Sequence, residues 1–251
     1  MKTLKQFVEE KNILIAAHRG ASGEAPENTM AAFKLALEQG ANMIEADLQF
    51  TVEDAAVAFH DRRHLKLKDA DKPLSLENLK DIDAGAWFSP KFAGEKIPSL
   101  KEITELVKDR AYLNLEIKGD DSSVTDKRIE NVISAIYGRG IKDCSMVSSF
   151  DYDMLKRIRK IDSDIHIAAI YNAFEDKNAP QIIDETGCEA IICSLGEISK
   201  KMSSDAKADN IFLGVYEVDN KSEFNYAMKF DVAALGTNYP AKIKKYVEDS
   251  S

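Results

Sequence analysis

Apolar residues along the chain fall into short runs separated by longer amphipathic stretches. The runs lie at 13–17, 43–48, 112–117, 144–148, 165–170, 189–193, 211–216 and 232–237. Between most of them, apolar positions recur with helical spacing, at 29–39, 100–108, 125–137, 152–161, 179–185 and 221–229. Strand-like runs alternating with helical stretches imply parallel strands joined by crossovers. Eight such strands in 251 residues is the size of a TIM (β/α)8 barrel, with a doubly wound open sheet as the competing arrangement.

Two places break this rhythm. A further apolar run at 55–59 follows Asp47 too closely for a parallel crossover, which needs about a dozen residues. The stretch from Asp47 to His60 therefore reads as an antiparallel hairpin extending the second strand. Its turn near Val52, Glu53 and Asp54 folds His60 back beside Asp47. The second break is the stretch 62–98, which carries Pro73, Gly85, Trp87, Pro90 and Gly94. A stretch of that length inside a compact domain reads as a functional insertion at the barrel mouth. The whole chain, 1–251, reads as one barrel domain with that insertion.

Composition narrows the setting without naming a chemistry. A formal charge of −9, from 34 Lys+Arg against 43 Asp+Glu, argues against the broad positive face that sequence-independent nucleic-acid binding needs. No apolar run reaches the ~18 residues of a membrane span, so stable membrane insertion is not expected. The first dozen residues carry Lys2, Lys5, Glu9 and Glu10 without an apolar core, unlike a secretion signal. Cys144, Cys188 and Cys193 are odd in number and lack zinc-type spacing, which fits a reducing, cytoplasmic setting. The sequence sets no oligomeric state.

Chemistry-bearing residues gather at the predicted strand ends, which in a parallel barrel converge on one face. The first strand ends in His18-Arg19-Gly20 and the second in Glu45-Ala46-Asp47. The hairpin return ends in His60-Asp61, and the third barrel strand in Glu116-Ile117-Lys118. Glu45 and Asp47 stand at i, i+2, which puts both carboxylates on one side of a strand. Acidic groups within apolar runs are costly unless paired or bound to a cation. Glu45, Asp47 and Glu116 therefore suggest a hard-oxygen site for one divalent cation, Mg2+ or Ca2+. His18 and His60 suit a general acid/base pair, and Arg19 and Lys118 suit phosphate. Each feature alone has a plainer reading: a hydrogen-bonded histidine, a salt-bridging acidic pair, a Glu116–Lys118 ion pair. Their joint placement carries the inference. His64, His166 and the pair Asp120-Asp121 lack that placement and read as structural or solvated.

These residues resemble a known family. His18-Arg19-Gly20, Pro26-Glu27-Asn28-Thr29, Ala32-Phe33, Gly40-Ala41, Ile44-Glu45-Ala46-Asp47, Thr51 and His60-Asp61 are similar to the opening signature of glycerophosphodiester phosphodiesterases. Leu79 to Phe88, Gly94 to Leu100, Leu113 to Lys118 and Ser149-Phe150 are similar to later blocks in the same order. The resemblance covers most of 13–160. It implies a (β/α)8 barrel with a small insertion that hydrolyses glycerophosphodiesters to glycerol 3-phosphate and an alcohol, through a cyclic phosphate. It implies metal ligation by Glu45, Asp47 and Glu116, acid/base work by His18 and His60, and phosphate contact by Arg19 and Lys118. Glu27 is placed to support the site, Asn28 or Thr29 to cap a helix, and Tyr216 to line the pocket.

The sequence departs from the family pattern in three places. A Thr-Lys-Asp-Gly turn appears as Thr51-Val52-Glu53-Asp54, without the glycine that favours tight turns. A Trp-Thr-Val-Asn strand end appears as Tyr216-Glu217-Val218-Asp219, and a Thr-Asp-x-Pro block as Thr237-Asn238-Tyr239-Pro240. These departures bear on the pocket wall. They leave open a lysophospholipid-cleaving barrel enzyme and a non-catalytic binding barrel.

Overall fold

Eight parallel strands close on themselves, each delivering its carboxyl end to one face. The computed structural model describes residues 4–11, 13–61, 74–118 and 124–250. In chain order they form α1 (Leu4–Lys11), β1 (Leu14–Ala17), α2 (Met30–Glu38), β2 (Met43–Phe50), β3 (Ala56–Ala58), α3 (Leu76–Leu79) and α4 (Leu100–Val107). There follow β4 (Tyr112–Ile117), α5 (Asp126–Gly138), β5 (Ser145–Ser149), α6 (Tyr152–Ile161), β6 (Ile167–Ile170) and α7 (Ala179–Thr186). The last elements are β7 (Ala190–Ser194), α8 (Lys200–Ala208), β8 (Phe212–Tyr216), α9 (Lys221–Ala227), β9 (Ala234–Thr237) and α10 (Pro240–Glu248). The sheet order is β1-β9-β8-β7-β6-β5-β4-β2-β3, and a β1–β2 pairing closes the ring of eight. This is the expected TIM barrel, and the open-sheet alternative falls.

The strands are mostly apolar because both faces are covered, inside by the barrel core and outside by helices; the acidic exceptions lie in β2 and β4. Leu14, Ile44, Leu48, Leu113, Leu115 and Ile117 are fully buried. Each such side chain contributes roughly 1.5–3 kcal/mol on burial. Helices begin where a side chain can satisfy the orphan N–H groups of the first turn. Thr29, Thr125, Asp151 and Ser199 accept from the N3 amide of α2, α5, α6 and α8. Ser99 with Glu102, Asn178 with Gln181, and Asn220 with Glu223 close reciprocal capping boxes on α4, α7 and α9. The cap on α2 is Thr29, not Asn28.

The hairpin forms as the spacing predicts. Strand β2 pairs antiparallel with β3, with Leu48 opposite Ala58 and Phe50 opposite Ala56. Asp54 occupies the left-handed turn position at φ 62, and Arg128 Nε donates to its Oδ1 at 2.7 Å. A charged contact from α5 thus holds the position where glycine would be conformationally free. The described part of the insertion, 74–98, builds its own small core from Leu74, Leu79, Ile82, Ala84 and Ile97 against Val57 and Phe59. Asp83 ties its loop by accepting from the amides of Gly85, Ala86 and Gly94 at 2.8–2.9 Å. Residues 62–73, His64 among them, and the pair Asp120-Asp121 lie outside the described residues.

Candidate active site

Register places the acidic groups. Parallel pairing sets Asp47 opposite Glu116 and Glu45 opposite Asn114 across β2 and β4. Alternation along each strand then turns Glu45, Asp47, Asn114 and Glu116 toward the barrel interior. Glu45, Asp47 and Glu116 are all buried, and a ligand oxygen from each lies within 4.8 Å of the others. The return of the hairpin carries His60 to the same end, since the Phe59 amide donates to the Asp47 carbonyl at 2.9 Å. Gln49 Nε2 fixes the His60 carbonyl at 2.7 Å. His18 and Arg19 follow β1 directly. Gly20 lets that turn lie against α2, where an added Cβ would stand 2.6 Å from the Ala32 backbone.

His18, Arg19, Glu45, His60, Glu116, Lys118 and Tyr216 all line one cavity of about 280 Å³. Below the charged rim its walls are apolar and small, with Ala16, Ile170, Ile192, Gly214, Ala234 and Gly236. Glu217 stands exposed at its edge with φ 69. A polar rim over a narrow apolar shaft suits a small diester with its charged end at the mouth.

Two cations face the three carboxylates. Lys118 Nζ bridges Asp47 Oδ1 at 2.7 Å and Glu116 Oε1 at 2.6 Å. Arg19 Nε lies 3.0 Å from Asp47 Oδ2, and its Nη1 lies 3.1 Å from Glu27. Those three carboxylates and two cations leave one negative charge uncompensated when all are ionised, and the partly exposed Glu27 adds a second. Burial and the neighbouring Asp47 and Glu116 charges push Glu45 well above the usual carboxylate range. Burial also raises Glu116. Asp47 is buried too, yet Lys118 and Arg19 outweigh that and hold it below its ordinary value. Glu45 Oε2 accepts from the Arg19 amide at 2.8 Å, whereas its Oε1 has no hydrogen-bond partner among the described residues. An orphaned buried oxygen, beside two others already drawing an ammonium between them, is a donor set that suits a hard cation.

Burial, reinforced by Arg19, lowers His18 below its ordinary value. Burial also lowers His60. Both shifts favour the neutral over the charged ring. Tyr216, which stacks on His18 with centroids 6.4 Å apart, is pushed up to about 12 by burial and nearby carboxylates. It acts as a neutral wall. His166 stands away from the site, 3.7 Å from Glu189. The cysteines are buried and free, and burial raises Cys144 to about 11 and Cys193 to about 12.

Two contributors escaped the sequence reading. Asn28 is buried at φ 54; its Nδ2 donates to Asp47 Oδ2 at 2.7 Å and its Oδ1 accepts from the Asp47 amide at 3.1 Å. It clamps Asp47 rather than capping α2. Asn238 Oδ1 lies 3.1 Å from His18 Nδ1. An Asn, a residue type enriched at left-handed positions, just before a helical stretch was the available signal for the first. The second stood out only as a departure from the family's Thr-Asp-x-Pro block, and its partner is 220 residues away.

The model of the glycerophosphoryl diester phosphodiesterase family matches residues 18–242. A glycerophosphodiester phosphodiesterase of Caldanaerobacter subterraneus is 39% identical over 163 residues, 63% of this chain and 66% of that protein. One from Bacillus altitudinis is 29% identical over 243 residues, 94% of this chain and 98% of that protein. With the Caldanaerobacter protein and with YhdW of Bacillus subtilis, the match spans just under two thirds of the relative's length, 66% and 65%. Among solved structures, an Oleispira antarctica phosphodiesterase in complex with the product sn-glycerol-3-phosphate superposes with a TM-score of 0.83 at 26% identity. It covers 94% of this chain and 96% of its own. With the family model running through nearly the whole barrel, the chain belongs to the glycerophosphoryl diester phosphodiesterase family, whose named members are phosphoric diester hydrolases.

Proposed function

We propose that this protein, as one barrel domain with its insertion, hydrolyses glycerophosphodiesters to glycerol 3-phosphate and an alcohol by acid–base catalysis between His18 and His60. The observation that carries the reading is the convergence of both imidazoles, three buried carboxylates and two cations on one cavity at the strand ends. Glu45, Asp47 and Glu116 would hold one divalent cation, Mg2+ or Ca2+. When bound, it supplies Lewis-acid stabilisation of charge on the phosphoryl oxygens. Arg19 offers the diester its guanidinium, oriented from behind by Glu27, and Lys118 offers an ammonium. One histidine takes the proton from the glycerol hydroxyl next to the ester as that hydroxyl attacks phosphorus. The other donates a proton to the departing alcohol. Attack from within the substrate makes the step unimolecular, which lowers the barrier by several kcal/mol. Water then opens the cyclic glycerol phosphate with the two histidine roles exchanged.

The three free cysteines support a reducing, cytoplasmic setting. A lysolipid substrate is the second reading, favoured by Phe150 at 38% and Phe174 at 99% exposure just beyond β5 and β6. A panel of glycerophospho-alcohols and lysolipids, assayed with Mg2+, Ca2+ or chelator, tests both. Metal-dependent release of free glycerol 3-phosphate is expected. Activity confined to lysolipids, or a cyclic phosphate that persists, selects the second reading. Cation-induced stabilisation without turnover on any diester refutes both.

A further inference from the structure

His18 reaches the cavity at one edge of its ring and is held at the other. Its Nδ1 lies 3.1 Å from Asn238 Oδ1. The orientation of that amide follows from its other contacts. Asn238 Nδ2 donates to Asp219 Oδ2 at 2.7 Å, and the Asn238 amide donates to Asp219 Oδ1, also at 2.7 Å. Thr237 Oγ1 donates to Asp219 Oδ1 at 3.0 Å. Turning the side-chain amide over would set its oxygen against a carboxylate that can only accept. The oxygen therefore faces Ser22, whose hydroxyl lies 2.6 Å away, and His18. A carbonyl oxygen has no proton to give, so His18 Nδ1 must carry one. In the neutral ring the lone pair is left on Nε2.

We propose that Asp219 and Asn238 form a positioning relay that locks His18 in the Nδ1–H tautomer and turns Nε2 toward the substrate as the single proton-exchanging atom. The inference rests on the acid/base role given above to His18. The relay also accounts for two departures from the family pattern together. Asp219 and Asn238 stand where that pattern has Asn and Asp, and here they are hydrogen-bonded to each other. The exchange keeps one carboxylate and one amide in contact, but presents His18 with a neutral acceptor.

Two measurements test it. In the full-length protein, two-bond proton–nitrogen NMR correlations report the tautomer of the neutral imidazole, with His18 assigned by its loss in His18→Gln. A proton on Nδ1 is expected; a proton on Nε2 overturns the relay whatever the protein catalyses. In steady-state assays on sn-glycero-3-phosphocholine with Mg2+ or Ca2+, Asn238→Leu should lower kcat by about 10- to 100-fold while KM moves less than about threefold. A kcat within twofold of wild type overturns it.

Asn238→Asp alone places two carboxylates in contact, and the double exchange Asp219→Asn with Asn238→Asp removes that clash. The double variant should recover most of the kcat lost by either single exchange. Its pH–rate limb for His18 should move upward, since a carboxylate on Nδ1 favours the charged ring. The other groups facing His18 (Arg19 beside it, Glu27, Asp47 and the Tyr216 ring) are unchanged in this variant. Failure of the double exchange to recover kcat, or an unmoved limb, refutes the relay. A wild-type protein that releases no glycerol 3-phosphate refutes the proposed function instead, while the tautomer remains readable.

Discussion

Replacing Glu45 by Gln should stabilise the metal-free protein while abolishing its response to metal. Three carboxylate oxygens lie within 4.8 Å of one another. At that separation each like-charge pair costs about 3.5 kcal/mol at an effective dielectric of ~20. Lys118 and Arg19 offset most of this through contacts of 2.6–3.0 Å. The uncompensated charge falls on Glu45, which is raised above its ordinary 4.5 by burial and by its acidic neighbours. Its folded pKa exceeds its unfolded one, so the stability it contributes is complete below pH 4.5. That stability is lost as pH rises toward the folded value. Glutamine keeps an oxygen for the Arg19 amide and carries no charge. At pH 8 in EDTA, Glu45→Gln should gain on the order of 1–3 kcal/mol, or about 2–10 °C in Tm for a chain of this length. Near pH 5 the gain should shrink, because wild-type Glu45 already holds its proton. Adding Ca2+ or Mg2+ at ~100 times its Kd should stabilise wild type by ~2.7 kcal/mol and the variant hardly at all. Thermal melts at both pH values, with and without cation, provide the assay. A variant less stable than wild type in EDTA at pH 8, or one gaining equally at both pH values, would refute the reasoning.

Three further outcomes follow from the site geometry. His18→Ala and His60→Ala should each lower kcat by roughly 10²-fold or more, measured as glycerol 3-phosphate release; near-normal turnover in either removes that ring from the chemistry. Asn28→Ala deletes both side-chain hydrogen bonds to Asp47, one of them to its buried carboxylate. It should cost about 2–4 kcal/mol in urea unfolding and weaken cation binding at least about tenfold by calorimetry; an unchanged affinity contradicts the clamp. Folded His18 has a pKa below its ordinary 6.5, chiefly from burial, so below pH 6.5 the unfolded chain takes up a proton that the native ring refuses. Wild type should therefore lose stability relative to His18→Gln as pH falls from 7.5 to 5, and parallel stability curves would contradict a buried neutral imidazole.

The barrel was legible because its strands are apolar on both faces, so each stands out as a run. The run at 112–117 and the helix at 152–161 match β4 and α6 residue for residue. Four of the described helices were not marked. Helix α8 buries only Met202, Ser203 and Ala206, and α10 only Pro240 and Ile243, too thin a stripe to register as periodicity. Helix α1 has eight residues and α3, inside the insertion, only four. Within the site, residues at strand ends could be read because topology alone brings strand ends together. Asn28 and Asn238 could not, since each acts through side-chain contacts set by the packing of segments apart in the chain. The missing glycine in the hairpin turn was rightly noted, but its replacement needed α5: Arg128 on that helix secures Asp54 in the left-handed conformation.

The central claim is that one divalent cation and one phosphorus share this mouth, with an imidazole on either side. A crystal structure with Mn2+ or Ca2+ and glycerol 3-phosphate, the ion located by anomalous scattering, tests it most directly. The account predicts one ion about 2.0–2.6 Å from a carboxylate oxygen of each of Glu45, Asp47 and Glu116, with the phosphate between Nε2 of His18 and the ring of His60. An ion bound elsewhere, or a phosphate reached by only one of the two rings, would contradict it.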